Sequence, residues 1–114
     1  HSLSLLLLAH PRRPLSLSPP FLKQNLEVLR GLRELRTHAD YPTLVGLSRK
    51  RFLGELCEGS ASGASDDAAA RVWGTAAACA VAVAEGADII RVHDVDVMVD
   101  VATVASSLRG TKYY

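Results

Sequence analysis

With 114 residues, 48% hydrophobic and 22% charged, the chain has the size and make-up of one small globular domain with a real core. The net charge is only +1 and the basic residues form no long stripe, which excludes an extended nucleic-acid footprint. Aromatic residues, at 5%, are too few for a base-stacking platform. Cys57 and Cys79 lie far apart and in no CxxC arrangement, so neither a disulfide framework nor a zinc site is expected, and a reducing compartment is.

The first 21 residues differ from the rest. Ser2 to Ala9 is a Leu-rich apolar run, followed by His10-Pro11-Arg12-Arg13-Pro14 and Ser16-Leu17-Ser18-Pro19-Pro20. The run is far shorter than the roughly 20 residues a bilayer span needs, so no membrane partner is expected. No basic segment precedes it, which argues against a signal peptide; Leu3 to Ala9 reads equally as a buried strand. The chain starts on His1 and its only Met is Met98. It is therefore expected to be a processed product or a piece of something longer.

From Leu22 the pattern is helical, with Leu22, Leu26, Leu29, Leu32 and Leu35 on one stripe and charges elsewhere. Ser18 before Pro19 is the expected start, and Asp40-Tyr41-Pro42 closes the connection. Thr43 to Leu47 reads as a buried strand ending in Ser48-Arg49-Lys50. A Gly/Ser/Ala loop spans residues 58–65. Ser65 or Asp66 then caps a helix over about 67–85, which Gly86 terminates. Asp88 to Val92 is a second strand, and Asp94 or Asp96 opens a last helix to about Leu108, stopped by Gly110. Strands that are continuous apolar runs and alternate with helices predict parallel βα units. Two strands do not complete such a sheet.

The chemistry concentrates at the two strand ends. A strand sends residues i and i+2 to one face, which pairs Ser48 with Lys50 and Arg91 with His93. An arginine fork with a histidine beside it suits phosphate oxygens. A lysine and a serine suit carbonyl, ring-nitrogen or neighbouring substrate groups. The competing reading is a solvated strand end or a loop salt bridge, but two cationic groups on a core-directed face are uncommon there. Arg49 and Arg51 alternate away and are expected in loop or solvent. The loop at 58–65 lacks GxxxxGK[ST] and GxGxxG, so a mobile linker is expected rather than a phosphate cradle. His10 and His38 have no metal-spaced partners and read as surface residues. Asp66-Asp67 reads as capping, Cys79 as a small buried hydrophobe, and Trp73-Gly74-Thr75 as packing.

These residues resemble one family. The segment Leu44-Val45-Gly46-Leu47-Ser48-Arg49-Lys50-Arg51-Phe52-Leu53-Gly54 is similar to the SRK segment of dihydropteroate synthases, and Gly86-Ala87-Asp88-Ile89-Ile90-Arg91-Val92-His93-Asp94-Val95 to their closing RVHDV strand. Arg71-Val72-Trp73-Gly74-Thr75 resembles the helix between them, in a form like the fused folate-synthesis proteins of fungi. Asn25-Leu26-Glu27 resembles the helix before. The resemblance spans about residues 22–109, with residues 1–21 an atypical leader, 22–110 the barrel portion and 111–114 a tail.

The resemblance implies the C-terminal part of a TIM (β/α)8 barrel, about helix 6 to helix 8, incomplete because a whole barrel needs roughly 250 residues. It implies a transferase of folate synthesis that joins p-aminobenzoate to 6-hydroxymethyl-7,8-dihydropterin diphosphate. In it Lys50 holds the pterin and lines the p-aminobenzoate pocket, Ser48 contacts p-aminobenzoate, and Arg91 and His93 bind the diphosphate. It also implies Mg2+, with its protein ligand upstream of this chain, a family-type homodimer, and a cytoplasmic or mitochondrial location. The family carries Asp-Pro-Gly before helix 6, whereas residues 1–30 contain neither Asp nor Gly. The isolated chain is therefore expected to be inactive. The rival expectation is a non-catalytic remnant or interaction module that docks through the Leu-rich and Ala/Val-rich helices.

Overall fold

A computed structural model of the chain describes residues 3–7, 16–17, 22–38, 40–58, 61, 63–64 and 66–109. The Leu stripe forms α1 (Leu22–Arg30) and α2 (Leu32–His38), parted at Gly31 rather than running as one uniform helix. The i→i+4 ladder continues through the glycine, since Gly31 N–H reaches Glu27 O at 3.0 Å and Leu35 N–H reaches Gly31 O at 2.9 Å. The stripe does what its spacing implies: Leu32 is fully buried, and Leu22, Leu29 and Leu35 pack around the core.

The sheet has the order β2-β1-β3-β4, with β1 at Leu3–Leu7, β2 at Ser16–Leu17, β3 at Thr43–Val45 and β4 at Ile89–Ile90. β3 and β4 are parallel, in the register Leu44↔Ile89 and Val45↔Ile90. Backbone bonds extend this pairing by one step each way, from Asp88 N–H to Thr43 O (3.0 Å) and from Arg91 N–H to Val45 O (2.9 Å). Both strands are shorter than their apolar runs, the last backbone bond between them being the one to Val45. β1 does supply a third strand, but antiparallel to β3 (Leu5↔Val45, Leu6↔Leu44), against the expectation of an all-parallel sheet. The edge of β3 away from β4 is a row of backbone groups that an extended segment can satisfy in either direction, and β1 does so antiparallel.

Three further helices follow. A short α3 (Arg51–Leu56) was not signalled by the sequence, since six residues carry too little periodicity to detect. The Ala/Val helix is a 3-10 turn (Ala69–Arg71) leading into α4 (Val72–Ala84), and the last helix is α5 (Val95–Leu108). Asp67 Oδ1 accepts Ala69 N–H at 3.0 Å, a local turn just before the 3-10 helix rather than a cap at its N-cap residue, Ala68. Gly86, at φ +104°, ends α4 in the left-handed region that glycine takes most readily. Leu32, Val45, Leu47, Phe52, Leu53, Cys79, Ala82 and Met98 form the core between helices and sheet.

Asp88 fixes the entry to both strands. It accepts Thr43 N–H at 2.7 Å and pairs with Arg36 at 3.1 Å. Trp73, expected to pack, is 74% exposed, because α4 turns that face away from α5 and the sheet. The Ser18–Pro19 helix start, the Ser65 cap, the Gly110 stop, His10 and the tail at 111–114 lie outside the described residues. Among those described, no helix is long and apolar enough to cross a membrane.

Candidate functional site

Parallel pairing of β3 with β4 sets the two strand ends side by side, so the polar groups that follow each strand share one mouth. They line a cleft of about 460 Å³ that includes Ser48, Lys50, Arg91 and His93. All four residues singled out from the sequence are thus brought together. Arg49, Arg51 and Arg71 line it as well. The lining holds five guanidinium or ammonium groups and no carboxylate, a charge balance that suits anions.

Ser48 is buried and serves His93 directly. Its Oγ accepts the His93 backbone N–H at 3.0 Å and lies 2.8 Å from His93 Nδ1. With one lone pair taken, the hydroxyl proton can go to Nδ1, an arrangement that leaves the imidazole proton on Nε2. Lys50 is half-buried at the N-terminal boundary of α3. Burial, and secondarily the Arg91 charge, hold its ammonium below the ordinary lysine range. Arg91 lies over Gly46, where an added Cβ would come within 2.9 Å of Nη2.

Arg49 departs from expectation. The period-2 rule puts it in loop or solvent; it does lie in the turn after β3, but its φ is +57°, so the strand alternation no longer holds at this residue. The left-handed turn swings its side chain across to Asp94, which it meets through Nη2 at 3.0 Å and Nε at 3.3 Å. That hydrogen bond is the main cause of the lowered Asp94 pKa. Asp94, expected as a helix cap, makes no side-chain cap and spends its carboxylate on Arg49. Arg51 lines the cleft rim, 82% exposed and 3.7 Å from Glu55. Two residues have roles at the turn that sequence reasoning did not assign, although Thr75 is buried as its packing reading expects. Buried Thr75 accepts Arg49 N–H at 3.0 Å, and Arg71 Nη1 donates to Arg49 O at 3.0 Å. Their only sequence signal is membership of the Arg71–Thr75 segment. Among the described residues, no group of three or more His, Cys, Asp or Glu could hold a metal ion.

A βα-type sheet with a cationic cleft at its strand ends defines an α/β protein whose chemistry sits at the strand ends. The profile of the pterin-binding enzymes matches residues 19–93, and the chain belongs to that family. The dihydropteroate synthase of Synechocystis is 45% identical over 86 residues, covering 75% of this chain and 27% of the relative. The solved dihydropteroate synthase of Yersinia pestis superposes with a TM-score of 0.70 at 35% identity, covering 81% of this chain and 35% of that one. That of Thermus thermophilus, solved in complex with 4-aminobenzoate, gives 0.66 at 41% identity, with 77% and 33% covered. The chain thus spans about a quarter to a third of the length of the relatives it matches. These structural neighbours are TIM barrels, and the described residues form a small α/β portion.

Proposed function

We propose that this chain carries the strand-end cations of a dihydropteroate synthase, from about helix 6 to helix 8 of the barrel, with a homodimer as the expected assembly. The reaction joins p-aminobenzoate to 6-hydroxymethyl-7,8-dihydropterin diphosphate, giving 7,8-dihydropteroate and pyrophosphate. The observation that carries this reading is the convergence of Ser48, Lys50, Arg91 and His93 on one acid-free cleft, in a chain that belongs to the pterin-binding enzymes.

In this reading the aniline nitrogen attacks the pterin methylene carbon and loses a proton, while the C–O bond to diphosphate breaks. Negative charge then grows on the leaving oxygens. The Arg91 fork and the His93 Nε2–H stabilise it, and because Ser48 holds the imidazole beforehand, little reorganisation of that ring opposes the step. Lys50 contacts the pterin and the p-aminobenzoate pocket, and Ser48 orients His93 and borders that pocket. The described residues supply no ligand set for Mg2+. We place its protein ligand outside them and route no step through the ion.

Calorimetric titration with inorganic pyrophosphate tests the reading. Saturable binding by the 114-residue chain is expected, with a loss of about tenfold or more in Arg91→Gln, the scale of a hydrogen bond to a charged group. Pteroic acid should shift NMR signals of Ser48 and Lys50. No dihydropteroate should form with the chain alone, and turnover would overturn that part. One observation favours the rival reading of an interaction module. An apolar groove of about 560 Å³ runs between α1, α3 and α4, lined by Leu26, Leu29, Phe52, Leu56 and Val81 among others. A chain that binds neither pyrophosphate nor pteroic acid would support it.

A further inference from the structure

Among the described residues, Arg49 is the one non-glycine with a positive φ. Such a conformation is disfavoured for a residue with a Cβ and persists where the surroundings over-determine it. Here both peptide groups flanking Arg49 are held from outside the turn. On one side its N–H donates to Thr75 Oγ1, and Thr75 is fully buried in α4. On the other side its carbonyl accepts Arg71 Nη1 at 3.0 Å, and Arg71 is itself anchored through Nε to Ala64 O at 2.7 Å. The second of these peptide groups is the one that leads into Lys50.

We propose that Thr75 and Arg71 are positioning residues for Lys50: they lock the left-handed turn at Arg49 and so fix the direction in which Lys50 enters the cleft. The proposal rests on the reading of Lys50 as a ligand-binding group. Thr75 does not itself line the cleft and acts only through the Arg49 backbone. Arg71 borders the cleft, but its two backbone contacts are what hold the turn. Without them the left-handed conformation loses its compensation. Arg49 would relax toward negative φ, and Lys50 would swing toward solvent.

The chain has three lysines, Lys23, Lys50 and Lys112, so the Lys50 signal can be assigned after ¹³C-dimethylation. In the unsubstituted chain the Lys50 titration midpoint should lie below the ordinary lysine value, as its half-buried position demands. Thr75→Val removes the acceptor at nearly constant volume. It should move that midpoint up toward the ordinary value and weaken pyrophosphate binding about tenfold. Thr75→Ser keeps the oxygen and should restore both, which a purely volumetric role would not predict. Arg71→Gln should shift the midpoint in the same direction as Thr75→Val, and it decides the matter if the valine variant does not fold. Folded variants with the Lys50 midpoint and the affinity unchanged would overturn the proposal. If the unsubstituted chain binds no pyrophosphate, the functional reading fails, while the Lys50 midpoint still decides the positioning role.

Discussion

Ser48 and His93 are joined twice: the serine Oγ accepts the histidine backbone N–H at 3.0 Å and meets Nδ1 at 2.8 Å. One hydroxyl thus stitches the end of β3 to the end of β4 and sets the orientation of the imidazole. Ser48→Ala leaves the His93 N–H without this acceptor and frees the ring. Urea unfolding should show a loss of about 1–2 kcal/mol, the usual scale for removing one partner of a buried hydrogen bond. Pyrophosphate affinity should fall in the same variant, and an unchanged affinity would show that Ser48 does not orient His93 for the anion.

Gly46 is the floor beneath Arg91. An alanine Cβ there would lie 2.9 Å from Nη2, closer than such atoms are found, and a tight 3.3 Å from Nε. The offending atoms belong to the far end of a flexible side chain, so the clash is relieved by moving the guanidinium rather than the backbone. Gly46→Ala should therefore leave the unfolding midpoint nearly unchanged while weakening pyrophosphate binding severalfold. A large stability loss with intact binding would contradict this placement of Arg91.

The Arg49–Asp94 pair ties the turn after β3 to the residue before α5. Its hydrogen bond holds the Asp94 carboxyl below the ordinary aspartate range. The folded pKa lies below the unfolded one, so the contribution is fully present above the unfolded value of about 3.9 and fades as pH falls through the lower, folded value. Asp94→Asn should therefore lower the urea midpoint at pH 7 but have a smaller effect at pH 3. Equal effects at both pH values would show that the pair adds nothing through its charge.

Cys79 sits in the core, 1% exposed, and burial pushes its thiol up to about 11. Cys57 is only half-buried. At pH 8 a thiol-specific reagent should modify Cys57 readily and Cys79 only when the protein unfolds, because the thiolate is the reactive form. The raised folded pKa also means that Cys79 favours the fold below the unfolded value of about 8.5. That contribution should be lost as pH rises toward 11, and Cys79→Ala should flatten the alkaline stability profile. Rapid modification of both thiols in the folded chain would contradict the burial.

Much of the molecule was legible in local pattern. The Leu stripe marked α1 and α2, apolar runs marked β3 and β4, and the polar pairs after those runs marked the cleft. This works because burial writes its period into the sequence: 3.6 for a helix face and a continuous run for a strand covered on both sides. The same rule fails where the backbone leaves its regular region. Alternation places Arg49 in loop or solvent, but beyond Val45 the chain enters a turn where one left-handed residue resets which way each side chain points. Trp73 and Thr75 share a helix, yet one is 74% exposed and the other fully buried, a difference set by which face α5 and the β3 turn happen to cover.

The sequence by itself determined the longer helices, the two parallel strands, the four residues at the strand ends and the family they resemble, since all of these are written in neighbours a few positions apart. Only the tertiary structure decided that β1 runs antiparallel on the β3 edge, that Arg49 reaches Asp94, and that Arg71 and Thr75 hold the turn before Lys50. Those contacts join residues 22 to 45 positions apart and depend on hydrogen-bond geometry, which has no period for a sequence to display.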